Sequence, residues 1–124
     1  MLPEISAGIV SGRVATICCL DSGQPHCFSS FYAFEKDQPA LLFKSSPDDP
    51  HAPLFENGNP VAGSILPASF TRSGGQEIRF SGTVRPAPDE ASDYFHRLFP
   101  SSRTIPGRIY SIRLDHVRMA GDGK

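Results

Sequence analysis

Lys44-Ser45-Ser46, placed just before a turn rich in Pro and Asp, is the run in this chain best suited to hold an anion. A cation, two hydroxyls and the free N–H groups of a following helix start can together bind a phosphate. A solvated Lys beside a Ser pair that caps a helix is the plainer reading of the same residues. His51 follows Pro50 in that turn; an imidazole facing an anion donates one hydrogen bond when neutral and is favoured in its protonated form. Arg79 lies on the polar side of an alternating strand and brings a fixed positive charge, with Glu77 on the same side as its plain salt-bridge partner. Ser29 and Ser30 interrupt an aromatic strand, so one hydroxyl faces the core and the other a cleft. Cys18, Cys19 and Cys27 form an odd set with two neighbours in sequence, which is neither a disulfide framework nor a zinc spacing. They read as small hydrophobes. Asp21, His26 and Cys27 repeat no ligand spacing, so no metal is expected. No Ser-His-Asp order and no pair of carboxylates argues for hydrolysis, and no glycine-rich phosphate loop is present.

These residues need elements to carry them. Pro3 to Val10 reads as a short helix with proline early, where its missing N–H costs little. Arg13 to Leu20 reads as a strand apolar on both sides, hence interior. After the turn Asp21–Pro25 comes an aromatic strand, His26 to Phe34, and after Lys36–Pro39 a third, Ala40 to Ser46; the three form an expected antiparallel meander. Asp49 and Pro50 suit the cap and first position of a short helix that ends near Asn57-Gly58. Strands follow at Val61–Leu66 and Ile78–Val84, separated by a polar loop, Ser69–Gly75. The clearest helix opens at Pro88-Asp89, repeats Ala91, Tyr94, Phe95, Leu98 and Phe99, and stops at Pro100. Arg108 to Leu114 is the last long strand, and Val117 to Met119 extends it after a kink.

The order strand, strand, strand, helix, strand, strand, helix, strand describes one small closed barrel. A chain of 124 residues fits one domain and buries a core, although at this size dimers often add stability. With 39% hydrophobic and 20% charged residues it is globular. A net charge of −1 argues against general nucleic-acid or membrane-surface binding. No stretch approaches the roughly 20 apolar residues of a membrane span. The start, Met1-Leu2-Pro3-Glu4, lacks the basic residues of a signal peptide, and the cysteine usage suits a reducing cytoplasm.

Several segments resemble the FMN-binding split β-barrel superfamily, which includes pyridoxamine 5′-phosphate oxidase. They are Ala15-Thr16-Ile17, Ser29-Ser30-Phe31-Tyr32-Ala33-Phe34, Leu42-Phe43-Lys44-Ser45-Ser46, His51-Ala52 and Asn59-Pro60-Val61-Ala62-Gly63. Ile78 to Val84, Arg97-Leu98-Phe99-Pro100 and Ile109 to Leu114 complete the set. The match runs over roughly residues 10 to 119 and is closest to an uncharacterised bacterial subfamily; order and spacing carry it, since each motif alone is loose. It implies a mainly β fold, a six- or seven-stranded antiparallel split barrel with Greek-key features and two or three short helices. It also implies a homodimer with FMN at the dimer seam, and flavin-dependent oxidoreductase chemistry on an unknown substrate. By position, Lys44, Ser45 and Ser46 fall at the phosphate-binding strand end, and Pro50 and His51 fall where the oxidase has an Arg-Lys pair. Ser29 falls near the ribityl chain and ring, and Arg79 where relatives often carry a Gln facing the flavin. Members run on past the equivalent of Met119, whereas this sequence ends at Lys124. That difference and the absent basic pair keep open a non-catalytic dimeric binding module. Haem or a deazaflavin in the same cleft is a further option, with His26 or His51 as a haem ligand.

Overall fold

The computed structural model of the chain describes residues 1–68 and 76–120, so the loop expected over Ser69–Gly75 lies outside the described residues. In chain order the elements are α1 (Pro3–Ser11), β1 (Val14–Asp21), β2 (Gln24–Phe31), β3 (Ala33–Glu35) and β4 (Ala40–Ser45). Then come a 3₁₀ turn (Ala52–Phe55), β5 (Asn59–Ile65), β6 (Glu77–Pro86), α2 (Asp89–Leu98), a second 3₁₀ turn (Pro100–Thr104) and β7 (Arg108–Ala120). All seven strands join one antiparallel sheet in the order β2-β1-β5-β6-β7-β4-β3.

β2 and β3 stand at opposite ends of that order, yet only Tyr32 separates them in the chain. Two edges tied by one residue force the sheet to curl until they meet, and β2 returns beside β4. The expected strand His26–Phe34 is therefore two strands. The expected meander is a β1–β2 hairpin and a β3–β4 hairpin on opposite edges. Its residues favour strand throughout, so the break at Tyr32 is tertiary. The Tyr32 hydroxyl donates to the Ile9 carbonyl at 2.5 Å and ties α1 across the corner.

Inside, alternate residues from every strand form the core: Ile17, Phe43, Val61, Ile65, Ile78, Phe80, Val84 and Ile112 among them. α1 seals one end with Ile5 and Ile9. The other end is filled by Phe55 from the first 3₁₀ turn, whose ring centroid lies 5.7 Å from Phe28, 5.5 Å from Phe43 and 5.2 Å from Tyr110. α2 packs outside, with Ala91 and Phe95 against Ala33, Leu42 and Ile109.

β1 is not interior on both sides. Ala15, Ile17 and Cys19 are buried, while Val14 and Leu20 are 40% and 64% exposed. A strand in a curled sheet has one inner and one outer face, and among the described residues no element covers the outer face here. The expected kink near Val117 is a bulge: Ser81 pairs with His116 but Gly82 with Leu114, leaving Asp115 as the extra residue of β7. Gly82 is required at this point, because a Cβ there would lie 2.0 Å from the Arg113 carbonyl oxygen.

Phe55 is fully buried at the barrel end, so Phe55→Ala removes a plug with no neighbour free to replace it. Urea unfolding should show a loss of about 3–5 kcal/mol. A loss below about 1 kcal/mol would mean that the end closes without the ring.

Candidate functional site

The pleat decides where the polar residues go. β1 turns its odd-numbered residues inward, so Thr16 and Cys18 face out, and the ladder carries that parity across the sheet. One transverse row on the outer face reads Ser29, Thr16, Ser64, Arg79, Arg118 over five strands. The Ser29 and Thr16 hydroxyls lie 3.4 Å apart. Arg79 Nε donates to Glu77 Oε1 at 2.7 Å, the pairing open in the sequence, and the guanidinium stays half exposed. Ser29 and Arg79 are three strand spacings apart, about 14 Å. A depression of about 590 Å³ lies over Arg79, Ser81, His116 and Arg118. Beside the row, Val14, Leu20 and Phe31 are exposed.

Lys44 and Ser45 are neighbours that point to opposite sides. Lys44 faces the α2 side, where its ammonium donates to the carbonyls of Ser102 (2.6 Å) and Ile105 (2.8 Å) and ties the second 3₁₀ turn to β4. Loss of hydration lowers its pKa from the ordinary lysine value. Ser45 points inward, is buried, and donates to Asp49 Oδ2 at 3.1 Å. The Ser46 hydroxyl accepts from the Asp48 N–H at 3.2 Å. Asp49 accepts from the His51 N–H at 2.9 Å and lies 3.6 Å from His51 Nδ1. Asp49 braces this turn but is not the helix cap expected of it: the helix is a 3₁₀ turn beginning at Ala52, with His51 in the cap position and no side-chain cap bond. The His51 ring leans on His26, with centroids 4.2 Å apart.

The six expected site residues therefore occupy three places. Ser45, Ser46 and His51 gather at one turn, Lys44 faces away from it, and Ser29 and Arg79 share the outer row. A larger open groove, about 1130 Å³, lies between the β3–β4 hairpin and α2 and is lined by Glu35, Asp37, Tyr94, Arg97 and Arg113; it holds none of the six. The cysteines divide. Cys19 is a small core residue, but Cys18 and Cys27 face one another across β1 and β2 on the outer face. A hydrogen bond with Cys27 and then burial push the Cys18 thiol up to about 11.

One polar unit gave no sequence signal. Glu56 accepts from the Tyr110 hydroxyl at 2.6 Å and from Arg108 Nη1 at 2.9 Å, joining the first 3₁₀ turn to β7. Its partners are more than fifty positions away, so no local pattern marks it. Burial, and next the hydrogen bond to Glu56, push the Tyr110 phenol up to about 12. Unfolded tyrosine ionises near pH 10. Its contribution to stability is whole below that pH and drains away as pH rises toward 12. Tyr110→Phe should abolish the part of the alkaline stability loss that falls between about pH 10 and 12, read from urea midpoints across that range. An unchanged profile would mean that the phenol is not held neutral by the fold.

No family model matches the sequence. The chain is similar to the UPF0306 protein of Citrobacter koseri, with 29% identity over 121 residues that span 94% of this chain and 83% of that protein. Its backbone superposes on a FAD-binding protein from Mesorhizobium loti with a TM-score of 0.74 and 17% identity, covering 97% of this chain and 95% of the other. It superposes on a haem-binding protein from Mycobacterium smegmatis with a TM-score of 0.77 and 19% identity, covering 98% of this chain and 54% of the other. The chain has the split-barrel fold of these proteins, the fold its sequence resemblance implied.

Proposed function

We propose that the protein binds a flavin nucleotide, FMN in the first instance, on the outer face of its sheet and serves as a flavin-dependent oxidoreductase. The observation that carries this reading is the end-to-end likeness to a FAD-binding protein, which covers nearly the whole of both chains. The outer face supports it. The row Ser29, Thr16, Ser64, Arg79, Arg118 offers hydroxyls and two cations along a sheet surface that no helix of the described residues covers. Exposed Val14, Leu20 and Phe31 beside it favour a second copy of the chain, so the reading includes a homodimer with the ligand at its seam. The free thiols favour a reducing compartment, the cytoplasm. No helix of the described residues is long and apolar enough to cross a membrane.

Bound flavin supplies the hydride chemistry, and the protein's share is orientation and charge. Ser29 is assigned to the ribityl and ring edge. Arg79, steadied by Glu77, is assigned to the pyrimidine end, where a fixed cation favours the anionic reduced form. The phosphate is assigned to the turn bearing Lys44, Ser45, Ser46 and His51. The Asp49 carboxylate must swing aside for that, because it now occupies the donors of Ser45 and His51 and repels an anion. For Lys44 to serve the phosphate, its ammonium must leave the Ser102 and Ile105 carbonyls and turn to the other side of β4.

The visible spectrum of the purified protein, before and after addition of FMN or FAD, is the direct test. Flavin bands are expected. A Soret band would favour haem, and a colourless protein that ignores both flavins would leave the dimeric binding module. Arg79→Gln should make the flavin potential more negative by about 30–60 mV, the equivalent of one charge-assisted hydrogen bond in a two-electron couple. An unchanged potential with flavin bound would remove Arg79 from the ring.

A further inference from the structure

The rim of the barrel opposite α1 brings Asp21 and His26, which the flavin reading leaves without a purpose, beside His51, which that reading places in the phosphate turn. Asp21, His26 and His51 each place one ligating atom so that all three lie within 4.8 Å of one another, and all three side chains are half-buried. Two separate constraints bring them there. The β1–β2 hairpin turns through Ser22 and Gly23 with φ of 52° and 81°, a tight two-residue turn that pairs Asp21 with Gln24 and Cys19 with His26. Asp21 and His26 therefore share the inner face of adjacent strands at the hairpin's end. His51 arrives from the turn after β4, fixed by its N–H bond to Asp49 Oδ1 at 2.9 Å.

Hydrogen bonding does not explain the gathering. Among the described residues, Asp21 accepts only from the adjacent Ser22 hydroxyl at 3.4 Å, and His26 makes no side-chain hydrogen bond. Nor does charge balance explain it. Asp21 and Asp49 are two carboxylates at one rim, and among the described residues neither has a Lys or Arg partner. The rim is negative whenever the imidazoles are neutral, and a negative rim attracts a cation.

We propose that Asp21, His26 and His51 bind a first-row divalent transition-metal ion, with zinc as the reference case. Two imidazoles and one carboxylate suit zinc, iron, nickel or copper, whereas calcium and magnesium call for oxygen alone. Ligands 2.0–2.2 Å from zinc sit about 3.3 Å apart in a tetrahedron, so the half-exposed side chains close in from their present spacing by rotation. Asp49, 3.6 Å from His51 Nδ1, is the neighbouring carboxylate that orients a ligating imidazole in such sites. Three protein ligands leave a coordination position for water or a substrate oxygen, and it opens at the rim. The backbone traces why sequence spacing missed the site: the third ligand comes from a separate turn, and Cys27, the sulfur nearest in sequence, faces out.

This inference does not depend on flavin binding. Protein stripped with chelator and freed of flavin is titrated with Zn²⁺ by calorimetry and with Co²⁺ by visible absorption. One equivalent should bind, with histidine d–d bands for Co²⁺, and the ring resonances of His26 and His51 should move in NMR while those of His96 and His116 stay. His26→Gln and His51→Gln should each weaken Zn²⁺ binding by at least about tenfold, and Asp21→Asn should weaken it as well. Zn²⁺ should raise the melting temperature of the wild type and not of the His26→Gln/His51→Gln double variant, whose own unliganded melting reports whether it folds. No binding by the wild type overturns the proposal. So does equal binding by a folded double variant, which places the ion elsewhere. A protein that ignores added FMN and FAD yet binds one Zn²⁺ through these histidines sinks the flavin reading and leaves this one standing; a protein that binds flavin and is blind to zinc does the reverse.

Discussion

The connection through Tyr32 is the constraint on which the rest depends. One residue joins strands at opposite edges of a seven-stranded sheet, so the sheet has to curl back on itself. Curling creates an inside and an outside with a period of two, broken at the Asp115 bulge, and leaves β2 and β3 as the sheet's edge strands. The inside fills with aliphatic and aromatic side chains and is stopped at both ends, by α1 and by Phe55. Burial of that apolar surface offsets the entropy lost when distant segments are tied together. With the centre packed, binding chemistry is left with the outer face and the rim. The Tyr32 hydroxyl bond to the Ile9 carbonyl then links the closing corner to the helix that seals one end.

Local patterns were legible where one face is apolar and the other polar. β6 reads Ile78, Phe80, Gly82, Val84 against Arg79, Ser81, Thr83, and the structure buries the first set. α2 likewise follows its repeat, with Ala91 and Phe95 buried, although Leu98 stays exposed because the helix rests on only a narrow part of the sheet. β1 misled because both its faces are apolar, which looks the same whether the second face is covered by the chain or left bare. The split at Tyr32 was illegible for a different reason. Nothing in His26–Phe34 interrupts strand propensity, and only the pairing of Ala33–Glu35 with β4 shows that the partner has changed.

Site residues obey the same division. Which residue types could meet an anion or a ring was readable, but their directions were not. Lys44 and Ser45 differ by one position and so by one face. That Lys44 would find the carbonyls of Ser102 and Ile105 depends on a turn reached only after three further strands and a helix. Ser29 and Arg79 fall in one row because β1 pairs with β5 and β5 with β6, a long-range register that neither segment encodes. The rim cluster is of the same kind, since His51 meets Asp21 and His26 only after the barrel closes.

Charge is sorted by this geometry. The outer face carries Arg79 and Arg118 in one row, while the rim carries Asp21 and Asp49 with two imidazoles. A chain with a net charge of −1 thus carries two arginines in a row on its outer face and two carboxylates at its rim. Both surfaces rest on the β1–β2 hairpin. Thr16 and Ser29 look outward from it, and Asp21 and His26 look inward at its end. In a pleated strand, a shift that moves one face moves the other, because the backbone between them has only two soft dihedrals per residue. Under the two proposals, a flavin that ordered the hairpin from outside would lower the entropy cost of ordering its inner end for a metal ion.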